Sequence, residues 1–237
     1  MLRVPTGIEG LDEMLDGGFP KGRVILLCGG PGTGKTIFSL QFLFAAAERG
    51  EPGVYVTLEE PLDFIRENVE AFDWKLKEKE LENRLKLLHF KMPNGDSKGG
   101  RCSPIKGNTF SIVDDIAREI EAIKAEHVVI DPITSITVQE QRAGFKRQRI
   151  AELFGKLRDI GCTSVLTSEI TSVNGEFYME EFLADGVIRL DKTVHAFTLI
   201  KTIRIEKMRG IKYDEQPRRY VIDKKGFKVY SSEPVKV

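Results

Sequence analysis

Cysteine and histidine are scarce in this chain, three of each, and neither is arranged for metal or redox chemistry. Cys28, Cys102 and Cys162 are odd in number, far apart and free of any CxxC pairing, and His89, His127 and His195 are equally scattered. That spacing argues against a disulfide framework and against a zinc site built from clustered ligands. Long apolar runs are missing too, so nothing in the sequence predicts a membrane span. Met1 to Gly10 carries Arg3, Pro5, Glu9 and two glycines where an export signal needs an apolar run. A cytoplasmic protein without membrane contact is the expectation. An excess of one charge is absent as well: Lys plus Arg and Asp plus Glu both number 36. No global field draws the molecule to nucleic acid, and any such contact has to be local.

What is present is 41% hydrophobic and 30% charged residues over 237 positions, the composition and length of one large α/β domain and short for two. Residues 1–237 are therefore read as a single domain. Short apolar, β-branched runs alternate with amphipathic stretches, the pattern of a mostly parallel sheet covered by helices. The runs predict strands at Arg23–Cys28, Val54–Leu58, Leu85–Phe90, His127–Asp131 and Thr163–Thr167. Val113, Ile116, Ile120 and Ile123 recur at helical spacing, as do Ile150, Leu153, Leu157 and Ile160, and both stripes are assigned to the core. After Gly186 the pattern turns to strands without long helices, at Val187–Leu190, Phe197–Glu206, Tyr220–Ile222 and Phe227–Tyr230. These predict an antiparallel C-terminal extension of the sheet. Lys91–Asn108, Val138–Arg147 and Thr171–Glu181 lack periodicity and are read as loops.

Chemistry concentrates in Gly29-Gly30-Pro31-Gly32-Thr33-Gly34-Lys35-Thr36, which fits GxxxxGK[ST], follows an apolar strand and opens a helix containing Phe38, Leu40, Phe42 and Leu43. Phosphate oxygens need many donors at short range, and glycines let backbone N–H groups converge on them at a helix N-terminus. On this reading Gly30, Pro31, Gly32, Thr33 and Gly34 cradle the phosphates of ATP. Lys35 neutralises the β- and γ-phosphates, and Thr36 offers a hydroxyl to Mg²⁺. The other reading is a glycine-rich turn that holds no ligand. Asp131 ends the apolar run Val128-Val129-Ile130 at the same sheet edge and is the second metal anchor, unless it only starts a turn before Pro132. Hydrolysis needs a group to orient or deprotonate water. Glu59 directly continues its strand, and like-charge repulsion with Glu60 can raise one of the two pKa values. Alternatively the pair only opens a helix favourably ahead of Pro61. Thr167-Ser168-Glu169 brings polar groups to the same edge, with Ser168 and Glu169 as γ-phosphate sensors. Lys207 and Arg209, at strand spacing on one face, suit a single phosphate group, and a solvated basic strand end fits them equally well.

Together these motifs resemble the KaiC-like branch of the RecA/RadA superfamily over essentially the whole chain. The likeness runs from Thr6-Gly7-Ile8-Glu9-Gly10-Leu11-Asp12 through Gly17-Gly18-Phe19-Pro20-Lys21-Gly22 to the glycine-rich loop. It includes Glu59-Glu60, the strand ending in Asp131, Asp185-Gly186 and Lys207-Met208-Arg209-Gly210. The resemblance implies a RecA-like core that hydrolyses ATP slowly and stacks into a hexameric ring with nucleotide between protomers. It implies that Glu59 and Glu60 are the catalytic carboxylates and that Lys207 and Arg209 reach the γ-phosphate held by the next protomer. Three departures stand out. Pro132 occupies a place where many relatives have Ser, and Ile211 and Tyr213 replace residues expected near the adenine. Glu180, Glu181, Phe182 and Leu183 stand before Asp185-Gly186 where self-phosphorylating relatives carry adjacent hydroxyls, which argues against autophosphorylation there.

Two other functions compete with a regulatory ATPase whose output goes to a partner protein. A DNA-binding recombinase-like ATPase would use Arg142, Lys146, Arg147 and Arg149, set against Glu140, but Phe145 alone is a thin platform for stacked bases. A nucleotide-dependent binding module would use ATP to set its oligomeric state with little turnover.

Overall fold

The computed structural model describes residues 1–90, 109–137, 142–169, 179–195 and 197–235. The chain opens with β1 (Arg3–Val4), α1 (Leu11–Met14) and β2 (Phe19–Pro20), and β1 and β2 pair in a small antiparallel ribbon. Strand and helix then alternate: β3 (Val24–Gly29), α2 (Lys35–Glu48), β4 (Gly53–Thr57), α3 (Leu62–Val69), α4 (Leu76–Leu81) and β5 (Leu85–His89). The alternation continues through α5 (Thr109–Ile123), β6 (His127–Asp131), α6 (Thr134–Thr137), α7 (Ala143–Ile160), β7 (Thr163–Ser168) and α8 (Met179–Leu183). Four strands close the chain: β8 (Gly186–His195), β9 (Thr198–Met208), β10 (Arg218–Asp223) and β11 (Gly226–Pro234).

Nine of these strands form one sheet in the order β11-β10-β9-β8-β3-β7-β6-β4-β5. The pairs from β8 through β3, β7, β6 and β4 to β5 are parallel. From β8 outward through β9, β10 and β11 they are antiparallel. The expected mixed architecture is therefore present, and the parallel strands read as continuous apolar runs because both faces are covered. Alternation along β3 divides the core. Ile25 and Leu27 join Phe38, Leu40, Phe42 and Leu43 of α2 in one cluster. Val24, Leu26 and Cys28 join Val113, Ile116 and Ile120 of α5 and Ile150, Leu153 and Leu157 of α7 in the other. Among the described residues no helix is long and apolar enough to cross a membrane.

Two loop expectations are corrected. The segment read as Val138–Arg147 is helical from Ala143 onward; Gly144, Phe145 and Arg147 are exposed there, so the first turns of α7 carry no apolar stripe to betray them. The segment read as Thr171–Glu181 becomes helical at Met179, in a helix too short to establish a period. Lys91–Asn108 lies outside the described residues. β8 runs past its predicted end at Leu190 into exposed positions up to His195, and β9 runs past Glu206 to the buried Met208 but starts at Thr198, one residue later than predicted.

Candidate active site

The glycine-rich loop leaves β3, whose six residues are all buried. A Cβ at Gly29 would lie 2.7 Å from Thr33 Oγ1 and 2.9 Å from the Leu190 carbonyl oxygen, so the loop folds back over a bare Cα. Thr33 ties the turn internally, its hydroxyl donating to the Gly30 carbonyl at 2.8 Å. Gly34 caps α2 in left-handed backbone at φ 95°, a conformation that penalises a side chain. No side chain caps α2, and its first turn contains no carboxylate. Its unpaired N–H groups and the positive end of its dipole thus face the loop, and both attract an anion. Lys35 is buried, and its ammonium donates to the Gly29 carbonyl at 2.9 Å and the Gly30 carbonyl at 3.3 Å. A cation held by neutral carbonyls beside the uncapped N-terminus of a helix fits the charge of a polyphosphate.

Asp131 ends β6 at the same edge. Thr36 Oγ1 donates to Asp131 Oδ2 at 2.9 Å, Tyr55 OH donates to the same oxygen at 2.5 Å, and Thr167 Oγ1 donates to Oδ1. A hydroxyl and a carboxylate in contact, with both oxygens oriented by further hydroxyls, make a hard oxygen donor set of the kind Mg²⁺ prefers. Tyr55 was not singled out from the sequence. Its signal is a polar tip at alternate spacing from Thr57 on a strand otherwise apolar, which puts the phenol on the α2 face. Burial first, and the Asp131 charge second, hold its hydroxyl protonated by raising its pKa well above the ordinary value.

The cleft over this edge encloses about 340 Å³ and is lined by Pro31, Gly32, Gly34, Lys35 and Thr36 together with Glu59, Glu60, Asp131 and Glu169. Glu59 and Glu60 follow β4, both exposed. Ser135 Oγ donates to Glu59 Oε1, which fixes that carboxylate across the cleft mouth, while the Glu60 carbonyl accepts from Thr57 Oγ1 at 2.8 Å. Desolvation on the cleft side, then the Asp131 charge, then Glu59, raise the Glu60 pKa above its ordinary value. Of the two sensor candidates, Glu169 reaches the cleft and Ser168 does not. Ser168 is wholly buried beside Cys28 on the opposite face of β7, its hydroxyl unpaired among the described residues. Thr167, one residue earlier, takes the place on the Asp131 side.

Lys207 and Arg209 stand elsewhere. Ile25 pairs with Gly186, and Gly186 pairs with Met208, so both cations lie level with the start of β3 while the phosphate loop leaves its end. Four strand residues separate the two edges, roughly 13 Å at the usual rise. There the Lys207 ammonium donates to the Glu181 carbonyl at 2.6 Å and the Arg209 guanidinium to the Phe182 carbonyl at 3.4 Å. Burial, then the charge of Arg209, lowers the Lys207 pKa. In the basic segment at the start of α7, Arg142 and Arg147 are exposed and Lys146 is half-buried, but Arg149 is buried and lost to any surface patch. The Arg142 guanidinium lies over the Phe145 ring, 5.7 Å from its centroid.

Comparison with known proteins bears on the family and the fold. A profile of the KaiC ATPase family matches residues 4–234. A UPF0273 protein of Methanopyrus kandleri is 36% identical over 99% of this chain and 93% of its own length. The circadian clock oscillator protein KaiC of Prochlorococcus marinus is 34% identical over 97% of this chain and 46% of its own length. The crystal structure of a KaiC-like protein from Pyrococcus horikoshii superposes with a TM-score of 0.83 at 35% identity, covering 97% of this chain and 99% of that one. The chain belongs to the KaiC ATPase family.

Proposed function

We propose that this protein binds Mg-ATP in the cleft above β3 and β6 and hydrolyses it slowly, with the site completed by Lys207 and Arg209 of the next copy in a closed, hexameric ring. The observation that carries the reading is the separation of the two halves. The cradle, Asp131 and the two glutamates share one sheet edge, and the cation pair sits at the other. A protomer so built offers different surfaces at its two ends, and head-to-tail contacts of that kind generate rings. On binding, Lys35 exchanges its two carbonyls for phosphate oxygens, and the N–H groups at the start of α2 hold the phosphates in place. Thr36 and Asp131 would hold Mg²⁺, which when bound would supply charge neutralisation to the phosphate oxygens. Glu59 and Glu60 orient a water for in-line attack on the γ-phosphorus and take up its proton, while ADP departs. The neighbour's cations stabilise the charge that spreads over the transferred group. The nucleotide-driven change in ring contacts is then available to a protein partner.

Complementation tests this directly. Arg209→Ala chains keep their cradles, Lys35→Ala chains keep their cations, and neither hydrolyses ATP alone. Mixed rings regain phosphate release at each interface that joins a good cradle to a good cation pair. Mixtures that assemble and stay inactive would favour action within one chain and remove the reading.

A further inference from the structure

Arg189 is a charge where the pattern allows none. It lies mid-strand in β8, opposite Cys28 of β3, on the face otherwise filled by the apolar cluster of α5 and α7, and it is only 7% exposed. One guanidinium nitrogen donates to Glu181 Oε1 at 2.8 Å and another to Glu206 Oε1 at 3.1 Å. Glu181, itself 6% exposed, belongs to α8. Glu206 sits at the register shift where β9 carries an extra residue just before Lys207. The neighbouring Cys28 thiol is pushed up to about 12 by burial and then by Glu181, so it adds no competing anion.

Helix α8 ends in three carbonyls, and each accepts from a cation: Glu181 from Lys207, Phe182 from Arg209, and Leu183 from Arg158 at 2.7 Å. Cations suit the carbonyl end of a helix, and here two of the three are the pair assigned to the neighbour's phosphate. The direction in which those two side chains leave the molecule is therefore set by where α8 stands. A five-residue helix cannot hold a direction by its own hydrogen bonds. The buried Arg189–Glu181 pair supplies what it lacks, fastening the middle of α8 to β8, while Arg189–Glu206 fastens the strand that bears the cations. Buried ion pairs are better at fixing one arrangement than at adding stability.

We infer that Arg189, through its buried pair with Glu181, is a positioning residue that aims Lys207 and Arg209 at the nucleotide of the adjoining copy. This rests on the cations acting in trans. Its lesion must then travel with the chain that supplies the cations and spare the cradle of the same chain.

The test uses full-length chains, Mg-ATP and complementation. Arg189→Met is expected to slow phosphate release by at least about tenfold while leaving nucleotide affinity within about twofold. Arg189→Lys, which keeps the charge but not the forked geometry, should recover part of the rate. Mixed with Lys35→Ala, which brings good cations, Arg189→Met should regain activity, because its own cradle is intact. Mixed with Arg209→Ala, which brings only good cradles, it should not. General structural damage fails in both mixtures, and recovery in both, or an unimpaired rate for Arg189→Met alone, also overturns the inference. Should Arg189→Met fail to fold, Glu181→Gln enters the same mixtures with the same expected asymmetry. If Lys35→Ala and Arg209→Ala do not complement each other, the trans reading falls and this inference with it. If they do and the Arg189 mixtures behave alike, this inference falls alone.

Discussion

Tyr55 and the two glutamates define what single residues contribute at the cleft. The Tyr55 hydroxyl donates to the Asp131 oxygen that Thr36 also contacts, so Tyr55→Phe removes an orienting group from the metal anchor and leaves the ring in the core. The expected outcome is a severalfold rise in the Mg²⁺ concentration needed for half-maximal phosphate release, since partners behind a metal ligand tune its affinity. The free energy of unfolding should fall by no more than about 1 kcal/mol; an unchanged Mg²⁺ requirement removes the role. Glu59→Gln should keep nucleotide bound and slow turnover by at least about tenfold, because the cradle stays whole while the water loses its orienting carboxylate. The pH profile of what remains carries a second prediction. A base works deprotonated, so the acid limb of turnover follows the pKa of the group that acts, and that of Glu60 is raised by burial, Asp131 and Glu59 in that order. Removing the Glu59 charge takes away one of the influences that raise it. The acid limb of the residual activity should shift to lower pH, and an upward shift would show that Glu60 is not the group titrating. Both carboxylates were legible from their place after an apolar strand, but which one is perturbed was not. That depends first on desolvation in the cleft and then on the approach of Asp131, 71 positions further along the chain, and no local pattern reports either.

At the scale of elements, α2 joins parts that the sequence shows only as separate motifs. Gln41 donates to the Gly7 carbonyl at 3.0 Å and to the Phe227 carbonyl at 3.1 Å, and its Oε1 accepts from the Phe227 N–H at 2.5 Å. One buried amide thus binds the N-terminal motif and the last hairpin to the helix that opens at the phosphate loop. That hairpin in turn meets the loop, with Tyr220 OH donating to the Thr33 carbonyl at 2.6 Å. Gln41→Leu leaves those backbone groups without their partner, at a cost on the order of 2 kcal/mol. Denaturant midpoints should fall accordingly, and nucleotide affinity should weaken with them, because the loop loses part of its support; an unchanged midpoint contradicts the bracing role. The parallel strands and the stripes of α5 and α7 could be read directly, since period and burial coincide in them. Ser168 and Thr167 could not be told apart, because a strand's end gives the period but not which face meets the cleft. Arg189 was hidden for the opposite reason: a buried charge is intelligible only beside Glu181 and Glu206, and those lie in other elements.

For the whole molecule, the proposed division of the site predicts that catalysis depends on concentration in a way that binding does not. Pro31, Gly32, Gly34, Lys35, Thr36 and Asp131, all assigned to the nucleotide and its metal, line one cleft of one chain, whereas Lys207 and Arg209 sit at the far edge, about 13 Å along the strand direction from their own loop. An arginine side chain does not bridge that gap. A free protomer should therefore bind Mg-ATP and scarcely hydrolyse it, while a protomer in contact with its neighbour does both. Phosphate release per chain should rise steeply with protein concentration across the range in which light scattering records assembly, and fall again on dilution. Nucleotide affinity over the same range should change much less, because the neighbour contributes mainly to the transition state. Arg209→Ala sharpens the expectation: it should assemble and bind while its turnover stays low at every concentration. Single-stranded DNA belongs in the same titration. Of the four basic residues in that segment, Arg142 and Arg147 are exposed, too few phosphate contacts to drive assembly, so DNA should leave the midpoint of the activity curve where it is. A specific activity independent of concentration down to the monomer would place all of the catalytic groups in one chain.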